Sequence, residues 1–255
     1  MNFSVHILGS GTCVPHKDRS QSGYLINLDG RFMLFDSGSG TLNRIASVGV
    51  DYKTIKNVFY THLHVDHVTD LLPLLFARKH DPLFKEPTEL NVYGPLGLID
   101  YLKNLEAIGG SWVYSQNSSI NVVELKPGME IEIHGGKIIP YATYHQPNSL
   151  GYRIETVDGD LFSYTGDTEA GDNLLALFDN ADLAISECSF RDENRKEGHF
   201  TPATLAIIAE KAAVKKLLLT HLYPEMDEID VVSLIKRNFN GSVEVGKDFK
   251  EYIIR

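Results

Sequence analysis

The segment THLHVDH, residues 61–67, constrains the fold and the chemistry of this chain more than any other feature of the sequence. It follows a strand-like run, IKNVFYT, and leads into an apolar helical pattern. On an extended segment His62 and His64 point the same way, and Asp66 and His67 follow around the turn. Four side chains of the types that bind metal ions therefore converge on one small volume. A histidine-rich, solvated turn is the alternative interpretation of the segment.

Three more candidate ligands stand at the ends of strand-like runs: His145 in YATYHQP, Asp167 in SYTGDT and His221 in LLLTHLYP. A hydrolytic site with two metal ions needs six or seven nitrogen and oxygen ligands, because each ion keeps a position for water and substrate. These three residues complete that number. Histidine and carboxylate ligands without cysteine suit Zn²⁺, and also Mn²⁺ or Fe²⁺. We therefore expect two divalent metal ions, with zinc as the first choice.

Strand-like and helical segments alternate in both halves of the chain, without internal repeats, low-complexity stretches or a recognisable linker. The opening third predicts a β-meander in which Asp29-Gly30 makes a hairpin turn. The apolar pattern after the histidine-rich segment predicts a helix from His67 to Lys79. We expect a single domain over residues 1–255, of the α/β class, with two sheets packed together and helices outside them in four layers.

The composition excludes several classes of protein. The chain has 255 residues, 43% of them hydrophobic, and its longest apolar run is the short LLPLLFA, so we expect no membrane span. The first residues show no pattern of a secretory signal, and two cysteines are too few for a disulfide framework, so we expect a cytoplasmic protein. A net charge of −10 argues against the broad basic surface that binds nucleic acids non-specifically.

In the order of these motifs the chain resembles the metallo-β-lactamase superfamily over essentially its whole length. The resemblance implies an αββα four-layer sandwich with two metal ions at one rim of the sheets. The first ion is assigned to residues that match His62, His64 and His145. The second is assigned to residues that match Asp66, His67 and His221, and Asp167 matches the bridging carboxylate. Asp36, in FDSGSG, matches an aspartate that orients ligands without binding metal, although a turn or helix cap describes its local role equally well.

A loop before the first metal motif is similar to ribonuclease Z within that superfamily. The run GSGTCVPHKDRSQSG resembles a substrate-side loop that carries a Pro-x-Lys-x-Arg-Asn sequence, and here it reads Pro15, Lys17, Arg19 and Ser20. The resemblance implies that Lys17 and Arg19 neutralise phosphate charge at the rim of the site. Ordinary solvated loop charges are the alternative interpretation of both residues.

A second similarity to ribonuclease Z follows the bridging aspartate. In SECSFRDENRKEGHF, Glu187 and His199 fall on a glutamate and a histidine of that family, while Ser186 and Phe200 depart from its pattern. The matching histidine is thought to protonate the leaving oxygen, and the glutamate to orient that histidine. A histidine backed by a carboxylate suits this step, because the pair keeps an imidazolium available near neutral pH. Alternatively, His199 simply precedes the capping residue of a helix.

One feature of ribonuclease Z is missing from this chain. That family carries a protruding arm that grips tRNA, between the residues that match His145 and Asp167. Here only GYRIETVDGDLFSYT fills most of the interval, and it predicts a plain hairpin. Because several phosphate contacts supply much of the affinity for a large RNA, we expect a smaller substrate.

These observations together predict a metal-dependent phosphodiesterase that resembles ribonuclease Z. A hydroxide that bridges the two metal ions attacks phosphorus while Asp66 accepts its hydrogen bond, and His199, oriented by Glu187, protonates the leaving oxygen. The expected partner is a small phosphodiester or a short RNA end, and a homodimer is one option for the assembly. Three alternatives stay open: a thioester or lactone hydrolase on the same fold, a tRNA 3′-processing endonuclease proper, and a binding or scaffold protein on a vestigial fold.

Overall fold

A computed structural model describes residues 2–83, 89–110 and 119–254 of the chain. The described strands form two sheets of seven strands each. In the first sheet the spatial order is β14-β1-β2-β3-β4-β5-β6. Its strands are β1 Phe3–Gly9, β2 Gly23–Leu28, β3 Arg31–Ser37, β4 Asn57–Phe59, β5 Leu90–Gly94, β6 Ile120–Glu124 and β14 Glu251–Ile253.

The second sheet has the order β13-β12-β11-β10-β9-β8-β7. Its strands are β7 Ile131–Ile133, β8 Gly136–Ala142, β9 Leu150–Thr156, β10 Leu161–Tyr164, β11 Leu183–Glu187, β12 Lys216–Thr220 and β13 Ser242–Val245. Each sheet is half antiparallel and half parallel: β3 to β6 run parallel in the first sheet, and β10 to β13 in the second.

Helices cover the outer face of each sheet. The helices are α1 Thr41–Ser47, α2 Val65–Val68, α3 Leu71–His80, α4 Leu98–Gly109, α5 Asn173–Phe178, α6 Pro202–Lys211 and α7 Val231–Ile235. Helices α1, α3 and α4 pack on the first sheet, and α5, α6 and α7 pack on the second. None of the helices in the described part of the chain is long and apolar enough to cross a membrane.

Alternating apolar residues along the strands hold the layers together. In β11, Leu183 and Ile185 face the core between the two sheets, while Ala184 faces the helices outside. In β12, Leu218 faces the same inner core, and its neighbours Leu217 and Leu219 face outward. A strand whose side chains are buried on both faces reads as a continuous apolar run, as these two do. The predicted αββα four-layer sandwich is therefore confirmed.

The strand directions bring the predicted functional segments to one edge of the sandwich. Parallel strands present their carboxyl ends at the same edge of a sheet. Asp167 follows β10, Glu187 ends β11 and His221 follows β12. On the opposite sheet, the segment 61–67 follows β4. Two hydrogen bonds join the two sheets near this edge. Leu150 N–H donates to the Thr61 carbonyl, and Tyr152 Oη donates to the Tyr60 carbonyl.

The helix predicted from His67 to Lys79 is interrupted. The chain forms the short helix α2, breaks at Asp70, whose backbone N–H donates to the Ser37 carbonyl instead of to the preceding turn, and resumes in α3. The Asp70 carboxylate accepts hydrogen bonds from the backbone N–H groups of Gly40 and Leu42, next to the start of α1. This long-range contact uses the side chain of Asp70 to satisfy N–H groups of another helix, which a local apolar pattern does not reveal.

The interval between His145 and Asp167 is a hairpin, as predicted. Strands β9 and β10 pair in antiparallel fashion from Leu161 opposite Glu155 to Tyr164 opposite Tyr152. The described structure leaves no room in this interval for a protruding arm, because the strands and their turn account for most of its residues.

Candidate metal centre

Two groups of ligand-type side chains meet at the rim of the sheets. The first group is His62, His64, His145 and Asp167, and the second is Asp66, His67 and His221. Within each group the nitrogen and oxygen atoms that could bind an ion lie within 4.8 Å of one another. These two groups contain the seven residues predicted as metal ligands, and their histidines and Asp66 divide as the resemblance implies. A third group, Asp167, His199 and His221, overlaps both and adds His199, which was not predicted as a ligand.

The carboxylate of Asp167 lies between the two groups. Its Oδ2 is 3.8 Å from Nε2 of both His62 and His145 and 3.5 Å from Nε2 of His221. Its Oδ1 is 3.4 Å from Nε2 of His67. One carboxylate thus faces four imidazoles, two from each group, which is the position that a bridging ligand requires.

Buried polar atoms without partners indicate that the cluster is built to hold cations. Among the described residues, His62 Nε2, His67 Nε2 and Asp167 Oδ1 are buried and accept or donate no hydrogen bond. An unsatisfied buried polar atom costs about 1–3 kcal/mol, so three of them on one cluster call for a ligand. Divalent metal ions fit this donor set of imidazole nitrogens and carboxylate oxygens.

The other ring nitrogen of each buried histidine is held by the protein. His67 Nδ1 lies 2.8 Å from Asp36 Oδ2, and His145 Nδ1 lies 3.0 Å from the carbonyl of Gly198. An acceptor at Nδ1 fixes the proton there and leaves Nε2 free to bind a metal ion, which is the usual arrangement of metal-binding histidines.

Asp36 is a buried junction of hydrogen bonds beneath the cluster. Besides contacting His67, it accepts from the backbone N–H and Oγ1 of Thr61 and from Tyr164 Oη, at 2.9, 2.9 and 2.6 Å. Its φ of 52° places a non-glycine residue in the left-handed region, a strained conformation that surrounding contacts must enforce. These contacts give Asp36 the geometry that its predicted role of orienting a ligand requires.

The charges around His67 favour a cation. Burial opposes charge on its ring, yet Asp167 and Asp36 raise the pKa of His67 well above its ordinary value. Burial by contrast lowers the pKa of His62 well below its ordinary value and that of His145 to about 4. The latter two are therefore neutral imidazoles, the form that binds metal. A metal ion bound at His67 would supply the positive charge that the carboxylates of Asp167 and Asp36 stabilise.

His64 and Asp66 complete the cluster toward solvent. His64 is exposed, and its Nδ1 lies 3.1 Å from Nε2 of His145. Asp66 is nearly buried, with its Oδ2 3.4 Å from Nε2 of His221. Because the rest of the cluster is largely buried, the side of His64 is its solvent-exposed face.

Next to the cluster, His199 and Glu187 form a close pair. His199 Nδ1 lies 2.9 Å from Glu187 Oε1, and the His199 ring is 4.8 Å from that of His145, centroid to centroid. Burial opposes charge on His199, but the hydrogen bond and the negative charge of Glu187 raise its pKa to about 9. The ring is therefore a protonated acid at neutral pH in the absence of other cations.

Ser189 was not singled out by the sequence, although it connects the pair to the cluster. Its hydroxyl lies 2.5 Å from Glu187 Oε2 and 3.0 Å from His221 Nδ1. Ser189 stands two residues after Glu187, so an extended backbone points both side chains the same way. That spacing is the signal from which this residue could have been found.

Lys17 and Arg19, predicted to bind phosphate, are engaged by acidic residues. The Lys17 side chain is 83% exposed and pairs with Asp18, while the guanidinium of Arg19 donates to both carboxylate oxygens of Asp227. Neither contributes an atom to the ligand groups. Arg19 ties its loop to the short helix Pro224–Glu228, so its contacts favour a role in shaping the rim. Phosphate binding by either residue stays a prediction.

The chain is similar to known proteins over nearly its whole length. A model of the beta-lactamase superfamily domain matches residues 31–222. Ribonuclease Z of Archaeoglobus fulgidus is 27% identical over 305 aligned positions, which cover 98% of this chain and 97% of that protein. Ribonuclease Z of Mycobacterium bovis is 28% identical over 270 positions, which cover 96% of each. The predicted resemblance to ribonuclease Z, and with it the prediction of a hydrolase of this type, is confirmed.

Solved structures share the fold over nearly the whole chain. The metallo-β-lactamase fold protein YhfI from Bacillus subtilis superposes with a TM-score of 0.87 at 26% identity, covering 99% of this chain and 100% of that one. The short form of human tRNase Z gives a TM-score of 0.79 at 24% identity, covering 99% of each. Since the family model spans most of the chain and the sandwich is the same, the chain belongs to the β-lactamase superfamily.

Proposed function

We propose that this protein is a phosphodiesterase that depends on two divalent metal ions, with zinc the first choice, and acts on small phosphodiesters or short RNA ends. The observation that carries the proposal is the His199–Glu187 pair beside two groups of metal ligands. Hydrolysis of an alkyl phosphodiester expels an alkoxide from phosphorus and needs an acid, whereas a thioester expels a thiolate, which leaves without one.

His62, His64 and His145 would hold one ion, Asp66, His67 and His221 the other, and Asp167 would touch both. Ions bound there supply a nucleophile at neutral pH, by lowering the pKa of water, and neutralise the charge of the phosphate. Asp66 is placed to accept a hydrogen bond from the attacking water as well as to bind metal. Asp36 and Ser189 keep the rings of His67 and His221 in place.

His199 would act on the leaving group. A water that has lost one proton to solvent would add its oxygen to phosphorus, the bond from phosphorus to the leaving oxygen would break, and His199 would give its Nε2 proton to that oxygen. His199 would then take up a proton from solvent. Glu187 holds Nδ1 of the same ring, so Nε2 is the atom that faces away from the carboxylate. Thr168 N–H and Ser189 Oγ both donate to Glu187 and fix its orientation.

The surroundings of the cluster support a substrate smaller than tRNA. A plain hairpin occupies the interval in which ribonuclease Z carries its arm. In the comparison with the archaeal ribonuclease Z, 305 aligned positions exceed the 255 residues of this chain, so at least 50 of them are gaps here. A shorter chain with a net charge of −10 offers fewer phosphate contacts to a long RNA.

The metal-loaded protein is expected to hydrolyse bis-p-nitrophenyl phosphate with a kcat/KM at least about 100-fold above that for lactones and thioesters, because two metal ions side by side would neutralise the charge of a phosphodiester, which lactones and thioesters lack. A precursor tRNA should be no better a substrate than a short RNA end, since contacts remote from the reacting bond are few. Steady-state kinetics over this panel measures both ratios.

Two results would contradict these expectations in different ways. A preference for lactones or thioesters would favour a hydrolase of carbonyl esters on the same fold. A preference of about 10³-fold or more for precursor tRNA, equal to about 4 kcal/mol of transition-state stabilisation, would favour a tRNA 3′-processing endonuclease.

The basic limb of the pH–rate profile should depend on Glu187. Because the carboxylate raises the pKa of His199, the acid stays protonated to higher pH and the rate falls only as pH rises through that raised pKa. Bound metal cations lower this pKa, and Glu187→Gln should lower it further, moving the limb to lower pH by at least about one unit. Glu197→Gln makes the same change of charge on an exposed side chain, and its limb should not move. If the basic limbs of Glu187→Gln and the wild type lie at the same pH, His199 is not the general acid.

A further inference from the structure

A stacked pair of aromatic rings stands beside His199. The rings of Phe190 and Tyr223 have centroids 4.5 Å apart and an interplanar angle of 24°. Both residues are only partly buried, so ring surface is left open to solvent. Cys13 Sγ lies 3.5 Å from Tyr223 Oη and holds the edge of that ring. Nothing in the hydrolytic chemistry described above uses this pair.

Both rings contact the acid itself. Phe190 meets the ring of His199 edge to face, with centroids 5.4 Å apart and an interplanar angle of 74°. Tyr223 is 6.5 Å from His199 and 6.0 Å from the ligand His221. Because His199 protonates the leaving oxygen, the group attached to that oxygen lies on the same side of the cluster as the two rings.

Two further exposed side chains beside the candidate ligands are apolar or aromatic. Val65, between the ligands His64 and Asp66, is 72% exposed, and Tyr144, just before His145, is 38% exposed. Together with Phe190 and Tyr223, these side chains leave apolar and aromatic surface beside the polar cluster.

Four basic side chains of the adjoining loops are paired with acids. Arg191, the neighbour of Phe190, contacts Glu228, and Arg195 contacts Glu169. Lys17 and Arg19 are paired in the same way. Binding a chain of phosphates needs unpaired cationic side chains. The paired charges here therefore favour a ligand that is bound by the faces of the aromatic rings.

We infer that Phe190 and Tyr223 form a subsite for the leaving group and select substrates whose leaving alcohol carries a planar heteroaromatic base, that is, a nucleoside. The inference rests on the proposed function and names its substrate class. Every nucleobase has a π-face that can stack on these two rings, so the subsite distinguishes a nucleoside from an abasic sugar but does not distinguish one base from another. The base stacks on the pair while the sugar oxygen lies against His199.

The test compares two substrates that differ only in the base. One is the methyl phosphate diester of 2′-deoxyadenosine, and the other is the same diester of the abasic deoxysugar, whose leaving oxygen has nearly the same pKa. The pair is made with 3′ and with 5′ linkage, and the linkage that is hydrolysed faster is used. The readout is the ratio of kcat/KM for the two substrates, which does not depend on the fraction of correctly folded enzyme.

We expect the wild type to prefer the nucleoside diester by about tenfold, the size of one base–aromatic stack. In Phe190→Leu and in Tyr223→Leu the ratio should fall below about threefold, whereas Phe190→Tyr, which keeps a ring, should retain it. Phe76→Leu removes an exposed ring on α3, outside the site, and is the matched control with an unchanged ratio.

Each outcome decides between distinct conclusions. A wild-type ratio near one, or a preference that survives both leucine variants, overturns the aromatic subsite while leaving the phosphodiesterase intact. Failure to hydrolyse either diester in any linkage, together with bis-p-nitrophenyl phosphate, overturns the proposed function, and the inference falls with it.

A second measurement needs neither metal nor turnover. In saturation-transfer NMR with deoxyadenosine and the metal-free wild type, base protons should receive more saturation than sugar protons, because the base contacts the rings. The difference should disappear in Phe190→Leu and persist in Phe76→Leu. Equal saturation of base and sugar protons in the wild type would speak against stacking.

Discussion

Asp167→Asn should remove most of the bound metal and lower phosphodiester hydrolysis by more than the roughly 10–100-fold that is typical of groups which only support a ligand. Burial opposes ionisation of Asp167, but the neighbouring His221 and His67 hold its pKa well below its ordinary value, so it is a carboxylate. Asparagine keeps the shape of the side chain and removes the charge that both ligand groups share. Metal content by elemental analysis and steady-state rates measure the two effects.

Asp172→Asn provides the matched control. Asp172 is an exposed carboxylate five residues further along the chain, outside both ligand groups. This variant should keep the metal content and the rate of the wild type. Full metal content and a full rate in Asp167→Asn would mean that Asp167 binds no metal, and the assignment of the two groups would have to be abandoned.

His199→Ala should slow hydrolysis of alkyl phosphodiesters by about 10²–10⁴-fold, the usual contribution of a general acid. The metal content should not change, because His199 is not among the seven predicted ligands. Hydrolysis of bis-p-nitrophenyl phosphate should slow by less than about tenfold, since p-nitrophenolate leaves without a proton. The comparison of the two substrates in the same preparation measures the effect.

His134→Ala is the control for that experiment, because His134 is exposed on the turn between β7 and β8 and contacts neither the cluster nor the acid pair. It should behave as the wild type on both substrates. An equal loss on alkyl and p-nitrophenyl esters in His199→Ala would instead indicate that His199 binds substrate or metal.

The sequence predicts the layers of the fold and the location of the centre because both depend on local patterns. The alternation of apolar residues in strands sets which faces are buried, and the ligands stand where strands end. The hairpin at Asp29-Gly30 has the same basis: both residues have positive φ, 51° and 77°, as the predicted turn requires.

Contacts between distant residues could not be predicted in this way. Tyr164 donates to Asp36 across 128 positions of sequence, and Arg19 meets Asp227 across 208. The break between α2 and α3 depends on Asp70 reaching the start of α1. In each case a polar side chain finds its partner only after the layers have packed, so a single sequence holds no periodic signal of the contact.

The central claim is most directly tested by adding Zn²⁺ stepwise to the metal-free protein and measuring hydrolysis of bis-p-nitrophenyl phosphate at each ratio. If the seven predicted ligands hold two ions, there is no hydrolysis without metal, and the rate rises until about two ions are bound per chain. A rate that is independent of added metal, or no hydrolysis at any ratio, would contradict a metal-dependent phosphodiesterase. A plateau below one ion per chain would contradict a centre with two ions.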